Sequence, residues 1–259
     1  MTRPLQHRRN VLSGALAGAA GLMLGGCQPL SDKSWVKSII GLGEAINYRV
    51  QRALLGSDTL APEFTEADLS PIFKPNGTSD PDDEDYKALA AKKFADFKLA
   101  VGGLVDRPAE LTLQELRAMP SRTQITRHDC VEGWSAIGKW KGVPLAAILD
   151  RAGVKPQARF VVFFCFDTME EGGKGPVRYY ESIDLIDARH PQTILAYEMN
   201  GETLPIAHGA PLRVRIERQL GYKMAKFIRR IELVEDFSRI GGGKGGYWED
   251  RGYDWFAGI

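Results

Sequence analysis

Residues 127–135 read Arg127-His128-Asp129-Cys130-Val131-Glu132-Gly133-Trp134-Ser135, and Trp140-Lys141-Gly142-Val143-Pro144-Leu145 follows shortly after. Arg122–Arg127 alternates in the period-2 manner of a strand. Cys130 therefore leaves a strand and enters a loop containing Gly133, where its sulfur can face a cleft. Pro144 has the fixed φ that suits a first helical turn, so a short helix is expected over Leu145–Arg151.

Working outward, Phe97–Val101 reads as a strand. Thr112 with Glu115 forms a capping box for a short helix ending near Met119. The continuous apolar run Phe160–Phe166 suits a strand covered on both faces. Gln192–Met199 is another strand, and Asn200-Gly201 is the strongest hairpin signal in the chain. Leu212–Glu217 and Phe227–Val234 complete a strand-rich C-terminal half. Short helices fall between strands with no steady alternation, so the class is α+β: mixed β-sheets with short helices in a single domain.

The whole chain has 259 residues, 44% hydrophobic and 26% charged. These proportions exclude a disordered tail protein and a polytopic membrane protein. A net charge of +1 gives no reason to expect nucleic acid as a partner. Three cysteines are too few for a disulfide scaffold.

At the N-terminus, Arg8 and Arg9 precede an apolar, acid-free run from Val11 to Gly26. The run is shorter than the roughly 20 residues a spanning helix needs. It reads as an export signal, and the paired arginines point to the twin-arginine route, which carries folded proteins. Leu24-Gly25-Gly26-Cys27 resembles a bacterial lipoprotein box, with Cys27 as the lipidated residue. The expected organisation is a signal over 1–26, a helical and loop extension over 27–95 and a core over 96–259. Within the extension, Trp35, Ile39, Ile46, Val50 and Leu54 predict an amphipathic helix over 33–55. Residues 56–82 are irregular, and the acidic run from Asp80 to Asp85 is expected to be a solvated helix start.

Cys130 admits three chemistries. Zinc is disfavoured, because no second Cys lies two to four residues away. A thiol nucleophile served by His190 or His208 has no local motif behind it. A sole protein ligand to a metal carried by a cofactor needs no companions.

The run from His128 to Trp134, with the Trp-x-Gly-Val-Pro-Leu after it, resembles the molybdenum-ligand loop of the sulfite oxidase family. The resemblance continues through Leu195–Gly201, through His208-Gly209-Ala210-Pro211-Leu212-Arg213 and through Gly221–Lys226. It implies a sulfite-oxidase-type core and one molybdenum–molybdopterin per chain, with the metal on Cys130. It also implies pterin contacts at Asn76, Thr168, His208 and Arg213, a phosphate-end loop at Met224, Ala225 and Lys226, and an active-site tyrosine at Tyr179. Arg213 and Lys226 are the residue types a buried phosphate requires. Cys165 reads as a buried structural thiol.

Sulfite enzymes of the family carry an oxyanion-clamping Arg a few residues after the ligand Cys. Gly133-Trp134-Ser135 stands there in this chain, closer to the family's periplasmic methionine sulfoxide reductases. An S-oxide or N-oxide, small or protein-bound, is the expected substrate, with Trp134 and Tyr179 as an aromatic wall. The alternatives are sulfite-dehydrogenase-type oxidation and a non-catalytic lipid-anchored binding protein. A monomer served by a membrane or periplasmic electron-transfer partner is expected. Gly241, Gly243 and Gly246 formally match a dinucleotide-binding fingerprint, but no strand–helix frame surrounds them. The aromatic tail Tyr247–Phe256 is expected to cover the core, with the cleft mouth as the alternative place for it.

Overall fold

The structure, a computed structural model, describes residues 34–56, 58–171 and 175–259. The export run, the twin arginines and Cys27 lie outside the described residues. One compact unit runs from Gln51 to Ile259, and the described residues up to Val50 fall outside it.

The helix expected over 33–55 is present as α1 (Ser34–Leu55). Ile46, Val50 and Leu54 of its apolar stripe are exposed, as is Leu42. Among the described residues, no helix is long and apolar enough to cross a membrane. Near the helix end, Arg52 belongs to the compact unit and pairs there with Asp184 and Asp187.

Two five-stranded sheets build the compact unit. The first contains β1 (Lys98–Gly103), β2 (Ala109–Thr112), β5 (Phe160–Glu171), β6 (Gly175–Asp184) and β10 (Ile228–Val234), in the order β2-β1-β10-β5-β6. Only the β1–β10 pairing in it is parallel. The second contains β3 (Arg122–Asp129), β4 (Ser135–Pro144), β7 (Ile194–Met199) and β8 (Glu202–Thr203) in that order, with β9 (Arg213–Arg215) also on β7. Short helices α2 (Glu84–Ala91), α3 (Leu113–Ala118), α4 (Leu145–Ala152) and α5 (Leu185–Ala188) interrupt the strands. This is the α+β class read from the sequence.

Local chemistry explains the boundaries. The Thr112–Glu115 capping box starts α3 as predicted. Asp83 caps α2 by accepting from Tyr86 N–H, so the acidic run is indeed a helix start, although Asp83 itself is buried and bridged to Arg178. Pro144 is the residue before α4 rather than its first turn. Asn200 and Gly201 both adopt positive φ and turn β7 into β8, the geometry a two-residue hairpin demands. Strand β5 outruns its apolar stretch to Glu171, because it continues as a hairpin with β6.

Candidate active site

Cys130 sits in the turn between β3 and β4. Its N–H donates to Trp134 O at 2.9 Å, and its carbonyl accepts from Gly133 N–H at 3.0 Å. The side chain is buried at the wall of a cavity. Burial pushes the thiol above its ordinary value, while the N–H groups of Glu132 and Val131 act the other way. A nearby metal cation would favour the thiolate. Among the described residues, no three His, Cys, Asp or Glu side chains converge as a metal cluster.

The second sheet supplies Cys130 and the first supplies the facing residues Asp167 and Met169 of β5 and Tyr179 of β6. Asn76, Met224, Ala225 and Lys226 line the same cavity. Six of the residues singled out in the sequence are thus gathered around one space. Tyr179 donates its hydroxyl to Tyr222 O at 2.7 Å, and burial holds its pKa well above the ordinary value. Lys226 donates to the carbonyls of Asn76 and Thr78, which ties the 76–78 loop to the start of β10.

Thr168 does not line the cavity. Its neighbours Asp167 and Met169 do, because strand alternation turns Thr168 to the other face, opposite Arg178. Nor does Trp134 form the expected wall. It packs at 5.4 Å from His128 and 6.1 Å from Phe73, and donates to Glu132 at 3.0 Å. The aromatic lining comes instead from Tyr179, Tyr222, Trp248 and Tyr253. Cys165 is fully buried in the core, as read.

His208 and Arg213 lie behind Lys226. Gly209 separates them at positive φ, and a Cβ there would fall 2.9 Å from the Lys226 side chain and 3.2 Å from that of Arg213. Only glycine permits this approach. Arg213 is fully buried, yet its one hydrogen bond runs from Nη1 to His208 O, leaving Nε and Nη2 without a protein partner. Its guanidinium carbon lies 4.8 Å from the Trp140 ring. His208 Nδ1 is also buried without a partner.

Positive charge in this cluster is only partly answered: Asp167 favours the Lys226 ammonium and Glu217 the Arg213 guanidinium, and burial outweighs both. Burial first, then Arg213, lowers Lys226 to about 7, and burial with the same cations lowers His208 to about 4. Burial raises Asp167 to about 6 against the pull of Lys226. Buried cations lacking counter-charge are costly unless an anion answers them. His128 lies against Gly221, behind the cavity wall. It is neutral because burial and Arg215 disfavour its charge, and its Nδ1 accepts from Arg215 at 3.0 Å. A Cβ on Gly221 would lie 2.3 Å from the His128 ring, so the Cys130 strand and the 221–226 loop meet there only through glycine.

A thiol-walled cavity with a buried lysine at its edge and an incompletely satisfied buried arginine behind it has the donor set for a metal-bearing, phosphorylated cofactor: a soft ligand at one end and anion-seeking groups at the other. The chain matches the oxidoreductase molybdopterin-binding domain family over residues 87–239. It is 38% identical to the putative protein-methionine-sulfoxide reductase subunit YedZ1 of Azospira oryzae, over 98% of this chain and 88% of that one. It is 35% identical to the protein-methionine-sulfoxide reductase catalytic subunit MsrP of Xanthomonas axonopodis pv. citri, over 58% of this chain and 48% of that one. Among solved structures, the sulfane dehydrogenase SoxCD of Paracoccus pantotrophus aligns with a TM-score of 0.48 and 24% identity, over 55% of this chain and 39% of that one. The chain belongs to the oxidoreductase molybdopterin-binding domain family, that of sulfite oxidase, and is a molybdopterin oxidoreductase.

Two features of the site do not follow from the sequence reading. Asp167 is overshadowed there by its neighbour Thr168, although its spacing of two from Met169 puts both on the cavity side of the strand. The buried Glu181–Lys223–Glu249 group joins residues far apart in the chain, and no local pattern announces it.

Proposed function

We propose that the protein reduces a neutral S-oxide of the methionine sulfoxide type to the thioether. The sulfur–oxygen bond breaks, the sulfoxide takes up two electrons and two protons, and the products are the thioether and one water. The observation that carries this reading is the lining of the Cys130 cavity. Among the described residues it offers Met169, Met224 and four aromatic rings, and no arginine to clamp an oxyanion. Lys226, the one cation among those lining residues, is already held by backbone carbonyls. A charge-assisted hydrogen bond contributes about 1.5–3 kcal/mol, and an oxyanion such as sulfite would lack it here. The names of the relatives in Azospira and Xanthomonas support the same class.

Cys130 would hold the metal, while Arg213, Lys226 and His208 would meet the phosphate end of the pterin, with Asn76, Met224 and Ala225 beside it. One molybdenum–molybdopterin per chain would supply the two-electron chemistry. The tyrosines exclude water from the reacting end. The Tyr179 hydroxyl stays protonated and holds the Tyr222 carbonyl, which fixes the 221–226 loop against β6. Asp167 retains its proton up to about pH 6 inside the cavity. Residues 1–26 would direct twin-arginine export and Cys27 would carry the lipid. The working form would be a periplasm-facing monomer fed by a membrane or periplasmic electron donor. The support for that placement is the sequence of the leader.

The test uses protein from a host that makes the pterin. With reduced viologen, methionine sulfoxide is expected to turn over, and sulfite with ferricyanide to give little. Cys130→Ser should lose the Mo(V) paramagnetic signal together with activity. Robust sulfite oxidation without oxide reduction would overturn the substrate class, and full activity in Cys130→Ser would overturn the ligand.

A further inference from the structure

The segment after β10 takes no part in the cofactor set, yet it reaches the cavity. Trp248 and Tyr253 line it. Their rings lie 5.2 Å apart, and Tyr253 meets Tyr222 edge-on at 5.2 Å. Tyr222 in turn accepts the Tyr179 hydrogen bond on its carbonyl. An aromatic wall thus runs from the first sheet out to the C-terminal segment.

The segment is fastened from beneath. Tyr247 N–H donates to Tyr180 O at 3.0 Å, Ser182 donates to Gly245 O, and Tyr222 donates to Asp254 O at 2.6 Å. Glu249 lies in the middle, adjacent in sequence to Trp248. It pairs with Lys223, which also pairs with Glu181, and all three side chains are withdrawn from solvent. Burial works against the Lys223 ammonium, but the two carboxylates outweigh it and hold its pKa above the ordinary value. Apolar packing alone would hold a tail more cheaply. A buried charge group adds registry, since the Lys223 ammonium meets both carboxylates in one arrangement.

We propose that Trp248 and Tyr253 are specificity residues that bind the carbon skeleton of the S-oxide, and that Glu249, acting through Lys223 and Glu181, is the residue that positions them. Aromatic faces attract sulfur-bearing and aryl groups. Dimethyl sulfoxide covers little of such a wall, whereas methyl phenyl sulfoxide or a peptide-linked methionine sulfoxide covers much of it. Selectivity therefore rises with the size of the carbon skeleton. The proposal rests on the S-oxide reading and assigns the substrate's apolar part to this wall.

The test compares holoenzyme variants of equal molybdenum content on methyl phenyl sulfoxide and dimethyl sulfoxide. In Trp248→Ala, the ratio of the two kcat/KM values should fall about tenfold, with the loss in KM. Trp248→Phe, which keeps a ring and guards against misfolding, should fall less. Glu249→Ala should reproduce the lost selectivity, and Glu249→Gln, which still accepts from Lys223, should recover most of it. In parallel, calorimetry with the unreactive methyl phenyl and dimethyl sulfones should show tighter binding of the aryl compound by the wild type and not by Trp248→Ala. An unchanged ratio in both Trp248 variants overturns the wall, and equal loss in Glu249→Gln and Glu249→Ala overturns the positioning role. If no S-oxide is reduced at all, the functional reading fails. Equal affinity of the wild type for the two sulfones then overturns the wall independently.

Discussion

Strand β9 buries two arginines, Arg213 and Arg215, which stack on the same Trp140 ring at 4.8 and 4.6 Å. Both are fully withdrawn from solvent. Arg215 forks onto Glu217, with bonds of 2.9 and 2.7 Å, and also donates to His128. Arg213 has one backbone carbonyl and two nitrogens without partners. Chain position, burial and aromatic neighbour are shared, so the difference lies in the counter-charge. A satisfied buried cation builds scaffold. An unsatisfied one is free to answer a ligand's charge, the role proposed for Arg213, and it stands beside Lys226.

The comparison breaks most visibly at Glu217. Glu217→Ala should strip Arg215 of the carboxylate it forks onto and cost about 3–5 kcal/mol in denaturant unfolding, the usual penalty for orphaning a buried charge. A loss under about 1 kcal/mol, the scale of an exposed pair, would mean that Arg215 is no more committed to scaffold than Arg213.

Arg213→Met should act in the opposite sense. In cofactor-free protein it removes an unpaired buried charge, so stability should hold or rise. The molybdenum content of protein from a pterin-competent host should fall at least tenfold, about 1.4 kcal/mol of cofactor affinity. Strong destabilisation with normal molybdenum content would reassign Arg213 to scaffold.

The smallest effect is a pH dependence. Lys226 is lowered to about 7 when folded, chiefly by burial and then by Arg213, whereas its unfolded value is the ordinary 10.5. Above pH 7 the unfolded chain therefore binds more protons at this site, and folding stability rises with pH. Between pH 7 and 8 the cofactor-free protein should gain about 1 kcal/mol, and Lys226→Met should lose that slope. Cofactor-loaded protein should lack the gain, because a phosphate restores the ammonium. The same slope in loaded protein would show that no anion reaches Lys226.

Local physics made much of this legible in the sequence. The Thr112–Glu115 box, the Asn200-Gly201 turn and the apolar run of β5 each contain their own instructions within a few residues. The turn bearing Cys130 was legible for the same reason. Its company was harder to see. Asn76, Tyr179 and Lys226 were placed by resemblance, and the fold brings them together from separate loops and sheets. Trp134 read as a cavity wall because it stands near Cys130 in sequence, but Phe73 and His128 draw it aside. For Trp248 and Tyr253 the aromatic tail offered the cleft mouth only as the alternative, because the contacts that hold it there, Glu249 with Lys223 and Tyr247 with Tyr180 among them, join residues far apart in the chain.

The cavity has one further property. Its walls come from both sheets: Cys130 from the end of β3, and Asp167, Met169 and Tyr179 from β5 and β6. Whatever fills that seam touches both halves of the fold at once, as mortar does between two courses of brick. Its binding free energy is then added to the cohesion of the whole unit by mass action. With the pterin placed as proposed, cofactor supply and folding become linked equilibria: a chain that acquires it would also gain resistance to opening along the seam, and a chain deprived of it would keep two sheets joined by one binding contribution fewer.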